Sequence, residues 1–359
     1  MTVTAPTPAE AALALDAHVR EILRWHLSPE TGTPVWIDWA AAQSGNPIEE
    51  IGGFDDLLQA FDNFDGERLR NEAHSRWTPK AFEGRPYNIF ETGGTTGVPK
   101  QRIGWDDYKH DYESFSGSLT DEGFPPGGAW LMIGPTGPRR LRLAIEHLAN
   151  FRGSSCYFVD LDPRWVKKLI RSGQQDQAAA YMEHVIDQAL AVLNNREVSA
   201  LFTTPRLLET LGEKISIPDA GIKGVFCGGT EMSPQTVRFL IEEVLEERVQ
   251  FVPTYGNTLM GLAGHKPLTK ADGYAITYFA PQPRAVLRVT NPDDSRQLVE
   301  YGEWGRVELT TLTKEFFLPR FLERDEATRC LPTEECPWDG VGQVRPFSDS
   351  EETIVEGVY

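Results

Sequence analysis

Short apolar runs that close at Gly, Thr or Asp residues alternate with helical stretches along the middle of this 359-residue chain, and that alternation constrains the fold more than any other feature. The runs are AWLMIG (129–134), SSCYFVDL (154–161), VSALFTT (198–204), IKGVFCGG (222–229) and VQFVPTYG (249–256). Between them lie QAAAYMEHVIDQALAVLNN (177–195) and SPQTVRFLIEEVLEE (233–247), both with helical character. Ser233 before Pro234 makes an N-cap and first-turn pair for the second. Strand and helix in alternation, with no repeat of fixed period, specify the α/β class.

After about residue 275 the texture changes to β-branched and aromatic runs broken by Pro, Gly and Asp, such as AVLRVTN and EWGRVELTTLT. The expected organisation is a 1–275 α/β part, with a β-rich region over 276–359 packed on it. No polar, Pro/Ser-rich linker separates the two, so one composite domain is expected. At the N-terminus, Ala12, Leu13, Leu15, Val19, Ile22 and Leu23 recur at helical spacing and no basic leader precedes them, so this stretch reads as an amphipathic helix, not a signal peptide. No window approaches the roughly 20 apolar residues that span a bilayer, and a soluble protein is expected.

A net charge of −18 argues against a polyanionic partner, because phosphate-backbone affinity needs a clustered basic face. Nucleic acid is therefore excluded as the expected ligand. Cys156, Cys227, Cys330 and Cys336 show neither CxxC pairing nor the density of a secreted disulfide scaffold. Reduced thiols in a cytoplasmic protein are the expectation.

The segment ETGGTTGVPKQR (91–102) cannot form a stable helix or fill a core. It follows YNIF (87–90), an expected strand, and precedes WDDYKHDYESFSGSL, which can start a helix. Gly93, Gly94 and Gly97 allow positive φ and close backbone approach, Thr92, Thr95 and Thr96 add hydroxyls, and Lys100 adds a charge. Such a turn can aim backbone N–H groups at a phosphate. The other reading is an ordinary surface loop. The spacing is not GxxxxGK[ST], since Lys100 lies between Pro99 and Gln101, and a Walker-type fold is not indicated.

The loop closely resembles the [ST]GTTGxPK phosphate-loop signature of the adenylate-forming superfamily: acyl-CoA synthetases, peptide-synthetase adenylation domains and luciferases. Three more segments follow in the order that the resemblance requires. FCGGTEM (226–232) resembles the strand-end Gly-Gly segment beside the adenine and acyl pocket. PTYGNT (253–258) resembles the aromatic-Gly-x-Thr motif, and LPRFLERDEATR (318–329) the segment with the ribose-binding aspartate. The match covers about residues 87–330. It implies the superfamily's large N-terminal domain, two α/β subdomains plus a distorted β-barrel, and ATP-dependent activation of a carboxylate as acyl-adenylate with release of pyrophosphate. ATP and Mg2+ are the implied cofactors.

By this resemblance the 92–100 loop holds the β- and γ-phosphates, with Thr95, Thr96 and Lys100 as polar contacts. Gly228, Gly229 and Thr230 border the adenine, Tyr255, Gly256 and Asn257 flank its face, Thr258 reaches the α-phosphate, and Asp325 binds the ribose. Lys100 and Thr258 are the implied catalytic groups. Around the acyl pocket, GPTGPRR (134–140) offers Thr136, Gly137 and Arg140 to a substrate carboxylate. Each residue has a structural alternative: packing for Tyr255, a helix N-cap for Asp325, solvation at a helix start for Arg140.

Two departures stand out. The superfamily commonly places a magnesium-binding glutamate after the threonine of the aromatic-Gly-x-Thr motif, where this chain has Leu259; Glu231 is the nearest acid in sequence. The mobile C-terminal domain with its second catalytic lysine is expected to be absent, since 341–359 lies where its hinge would begin. Short forms of the superfamily occur in phenazine-antibiotic pathways, where an aromatic dicarboxylate is activated for a reductase, and in fatty acid reductases, where the acyl group passes to a cysteine. The chain looks more like the first, residues 134–160 included. The implied partners are an aromatic carboxylate and an acceptor or reductase protein. Capture of the acyl group by Cys330 or Cys336, and nucleotide binding without catalysis, are the alternatives.

Overall fold

The computed structural model describes residues 6–92, 98–137, 140–228 and 231–347. They divide into two compact units. Residues 6–90, 98–107 and 277–347 make the first, and 91–92, 108–137, 140–228 and 231–276 the second. The β-rich segment thus shares its unit with the N-terminal helices. In chain order the strands are β1 (Asn88–Glu91), β2 (Gln101–Gly104), β3 (Trp130–Gly134), β4 (Cys156–Asp160), β5 (Ala200–Thr203), β6 (Gly224–Gly228) and β7 (Gln250–Asn257). They continue as β8 (Gly261–His265), β9 (Thr277–Phe279), β10 (Ala285–Asn291), β11 (Asp294–Leu298), β12 (Trp304–Leu312), β13 (Phe317–Cys330) and β14 (Gly340–Pro346).

The second unit is built on strands in the order β8-β7-β6-β5-β3-β4. All five runs that announced the α/β class are strands here, and they pair in parallel, Trp130 opposite Cys156 and Ala200, Ala200 opposite Gly224, and Gly224 opposite Gln250. Every residue of β3, β5 and β6 is buried. That explains why those runs read as continuously apolar: a parallel sheet is covered on both faces. Phe115, Phe124, Trp130, Phe202 and Phe226 form the centre of the core against Ala144, Ile145 and Leu148 of helix Arg140–Phe151.

Ser233 caps its helix as expected, accepting from the Thr236 N–H at 3.1 Å. The helix is shorter than the apolar spacing suggests. It is α-helical over Pro234–Phe239, widens to a π turn over Leu240–Val244, and ends where Glu246 and Glu247 both adopt φ of 53°. Long-range contacts override local propensity there: Tyr274 Oη donates to Glu242 at 3.2 Å, and Lys270 pairs with Glu247 at 2.7 Å.

In the first unit, helix Pro8–Leu27 starts with a reciprocal capping box between Thr7 and Glu10 and buries Leu15, Val19, Ile22, Leu23 and Leu27. Strands in the order β11-β10-β12-β13-β14-β9 form its antiparallel sheet. Trp36, from helix Pro34–Ala41, meets the rings of Phe61, Phe64, Trp77 and Phe317, and its Nε1 donates to the Phe317 carbonyl at 3.1 Å. Glu308 is wholly buried and fully engaged: Arg288 lies at 2.5 Å, Arg320 at 3.1 Å, and the Asn63 amide donates at 3.0 Å. A buried carboxylate is tolerable only when so paired.

β1 and β2 form a separate two-stranded ribbon. The glycine-rich segment therefore joins two strands, and helix Asp107–Ser116 begins only after β2, not directly after the loop. The start of that helix is already occupied. The Glu315 carboxylate accepts from the Trp105 N–H (2.7 Å), the Asp106 N–H (2.5 Å) and the Asp107 N–H (3.1 Å), so the chain supplies its own anion there.

Candidate functional site

Gly93, Gly94, Thr95, Thr96, Gly97, Gly229 and Thr230 lie outside the described residues. The remaining residues singled out from sequence fall in both units. In the second unit, β7 turns back into the antiparallel β8, with Tyr255 opposite Ala263, Gly256 opposite Leu262 and Asn257 opposite Gly261. The Asn257 side chain closes the turn, its Oδ1 accepting from the Leu259 N–H (2.9 Å) and the Met260 N–H (2.8 Å). Asn257 thus shapes the hairpin, and Leu259 is buried beneath it. Tyr255, at the strand end, is half-buried.

Two glycines let this hairpin close. A Cβ on Gly256 would lie 2.5 Å from the Gly261 carbonyl oxygen, and Gly261 itself has φ of 111°. Gly228, at the end of β6, stands in register with Thr254 of β7, and a side chain there would collide with the Thr254 hydroxyl.

Thr258 meets the residue that precedes Thr92. The Thr258 hydroxyl donates to the Glu91 carbonyl at 3.3 Å, tying the turn after β7 to the last residue of β1. Arg164, near the start of helix Pro163–Arg171, holds the same stretch: its Nη2 pairs with Glu91 Oε2 at 2.7 Å and donates to the Thr92 carbonyl at 3.4 Å. Neither Glu91 nor Arg164 stood out in the sequence. Arg164 sits in DPRWVKK, where the only local signal is the Asp162 cap, whose Oδ1 accepts from the Arg164 N–H at 2.9 Å.

The acyl-side residues separate. Thr136 bridges the ends of β3 and β4, its N–H and hydroxyl both donating to Asp160 Oδ1 at 3.0 and 2.6 Å. Gly137 is exposed. Arg140 is buried and pairs with Asp111 at 2.5 Å, their side chains 6% and 4% exposed. Its charge is thus matched inside the unit, and a Cβ on Gly261 would come within 2.5 Å of Asp111 Oδ2.

In the first unit, the Lys100 ammonium sits 4.5 Å from the centre of the Phe321 ring. Burial pulls its pKa below the ordinary lysine value, and the charge of Glu323 opposes that shift. Gly66 makes the space, since a Cβ there would be 2.8 Å from Lys100 Cε. On the C-terminal side of the glycine-rich segment, the Arg70 Nε donates to the Val98 carbonyl at 2.8 Å.

Asp325 lies within β13, so a helix N-cap is ruled out. The pairing explains its prominence. β12 advances from Arg306 to Glu308 while β13 advances from Glu326 back to Leu322, so Glu323, Arg324 and Asp325 bulge from the ladder with β12, while Asp325 stays in register with Pro346 of β14. Bulges of this kind re-aim side chains and gather near functional sites.

Leu259 offers no metal ligand, and among the described residues no three His, Cys, Asp or Glu side chains gather as a metal ion requires. All four cysteines are free. Burial pushes the Cys156 thiol up to about 12 and Cys336 up to about 11, and raises that of Cys227 as well. Cys330 directs its Sγ at the Thr328 carbonyl, 3.6 Å away. Among the described residues no helix is long and apolar enough to cross a membrane.

No protein-family profile and no curated protein sequence matches the chain. Solved structures do. The 2-hydroxyisobutyryl-CoA ligase in its postadenylation state with 2-HIB-AMP superposes with a TM-score of 0.66 at 14% identity, covering 98% of this chain and 71% of the ligase. The same ligase with 2-HIB-AMP and CoA, in the thioesterification state, gives 0.64 at 14% identity over 97% and 70%. ATP-bound MatB from Rhodopseudomonas palustris overlaps less, with a TM-score of 0.44 at 17% identity over 71% of this chain and 46% of MatB. The α/β fold is that of the large N-terminal domain of adenylate-forming enzymes.

Proposed function

We propose that the protein activates a carboxylic acid with ATP. In this reaction a carboxylate oxygen attacks the α-phosphorus, the bond to the bridging oxygen of pyrophosphate breaks, and acyl-adenylate and pyrophosphate form. The observation that carries this reading is the joining of Thr258 to Glu91 at the start of the glycine- and threonine-rich segment. Two motifs far apart in sequence meet in a fold shared with an acyl-adenylate-bound ligase.

Charge develops on phosphoryl oxygens in this step, so the protein contributes positioning and electrostatic stabilisation. In this reading the 92–100 segment cradles the β- and γ-phosphates and Lys100 offsets their charge. The Thr258 hydroxyl exchanges the Glu91 carbonyl for an α-phosphate oxygen, Tyr255 flanks the adenine and Asp325 accepts from the ribose hydroxyls. Magnesium brought in with ATP would be held mainly by the phosphates and water, which its preference for retained water allows. The acid is aromatic and the acceptor is a reductase or amide-forming protein, as the resemblance of residues 134–160 to phenazine-pathway proteins suggests. The protonated state of the Cys156, Cys227 and Cys336 thiols at neutral pH weighs against their serving as acyl acceptors.

Pyrophosphate exchange into ATP across a panel of aromatic and fatty acids tests the reading. Exchange that depends on an aromatic acid supports it. Binding of ATP without exchange for any acid would make the chain a nucleotide-binding module instead.

A further inference from the structure

Glu91 poses an electrostatic problem. A carboxylate directly before a segment that is to hold a triphosphate repels that ligand, and in a partly desolvated position the repulsion is stronger than in water. Its side chain is only 18% exposed. Arg164 answers the problem with one nitrogen, Nη2, which pairs with the carboxylate at 2.7 Å and also donates to the next carbonyl, Thr92 O, at 3.4 Å. Thr258 holds the Glu91 carbonyl at 3.3 Å. Two successive peptides are thus tied from two different elements.

We propose that Arg164 is a positioning residue for nucleotide binding: it neutralises Glu91 and, through its bond to the Thr92 carbonyl, fixes the peptide that leads into the glycine-rich segment. This rests on the nucleotide-binding reading above. Arg164 need not touch the phosphates. Its effect passes through Glu91 and Thr92.

The test measures the Kd for ATP by calorimetry for wild type, Arg164→Ala, Arg164→Lys, Glu91→Gln and the double variant Arg164→Ala/Glu91→Gln, with hydrogen exchange of the 88–92 peptide in the ligand-free proteins. Arg164→Ala is expected to weaken ATP binding about tenfold with little change in unfolding midpoint, since a part-exposed ion pair contributes little to stability. The double variant is expected to bind ATP more tightly than Arg164→Ala alone, because the Glu91 charge itself is gone. Arg164→Lys is expected to fall between wild type and Arg164→Ala. Exchange of the 91 and 92 amides is expected to quicken in Arg164→Ala. An ATP Kd within twofold of wild type in Arg164→Ala, or a double variant no tighter than that single one, would overturn the proposal. If the wild-type chain binds no ATP, the nucleotide reading falls with it. The exchange data still judge the anchor separately, and unchanged exchange in Arg164→Ala would refute it whatever ATP does.

Discussion

Arg140 and Arg164 each pair with a carboxylate in the second unit, and burial separates their consequences. The Arg140–Asp111 pair is almost wholly desolvated, so removing Arg140 takes a counter-charge away from a buried carboxylate. Arg140→Ala is expected to lower unfolding stability by about 3–5 kcal/mol in urea titration; a loss below about 1 kcal/mol would mean that water reaches Asp111 freely. A methyl at Gly66 would meet the far end of Lys100, which can swing aside, and also the edge of the buried Phe321 ring at 2.9 Å, so Gly66→Ala should lower the unfolding midpoint modestly and weaken ATP binding severalfold. Equal ATP affinity would detach Lys100 from nucleotide binding. His26 gives a pH signature. It is wholly buried, with Nδ1 2.7 Å from the Thr33 hydroxyl and Nε2 2.7 Å from the Thr313 carbonyl, and burial lowers its pKa from 6.5 to about 4. Between those values the unfolded chain binds a proton that the folded chain refuses, so stability falls as pH drops from 6.5 toward 4, by about 3 kcal/mol in total. The stability difference between wild type and His26→Gln should narrow across that window in parallel denaturant titrations; a constant difference would place the pKa elsewhere.

The β7–β8 hairpin shows how an element builds a site. Gly256 faces the Gly261 carbonyl with no room for a methyl, and the obstacle is backbone that cannot rotate away. Gly256→Ala is therefore expected to destabilise the unit by about 1–3 kcal/mol and to loosen the hairpin that carries Tyr255 and Thr258. Hydrogen exchange that slows or stays the same over 254–263 would contradict this. The strands were legible in the sequence because burial on both faces leaves continuous apolar runs, as in WLMIG of β3. Of the ribbon, β1 was legible in YNIF but β2 was not: QRIG is four residues long, and its Arg102 is buried by pairing with Asp107 at 2.6 Å, which no local pattern announces. Nor was the bulge at 323–325, since an extra pair of residues in one strand is visible only in the register with its neighbour. The π turn at Leu240–Val244 was hidden because Tyr274, which donates to its Glu242, lies far along the chain.

For the whole molecule, local motif and distant pairing divide what could be read. The glycine-rich segment, the Tyr255–Thr258 motif and Asp325 announce themselves by residue type, whereas Glu91, Arg164, Asp111 and Gly66 matter through partners that only the fold assembles. The net charge of −18 makes the problem of attracting a triphosphate general to the chain, so local cations such as Lys100, and local neutralisation such as that of Glu91, take on more weight. The central claim is that this chain forms an acyl-adenylate. Single-turnover incubation of stoichiometric protein with ATP and an aromatic acid, quenched and analysed by mass spectrometry, tests it most directly. The account predicts an acyl-AMP mass with one pyrophosphate released for each, and loss of both in Lys100→Ala while that variant remains folded. ATP that binds but stays intact, or that is converted to ADP and phosphate, would contradict it.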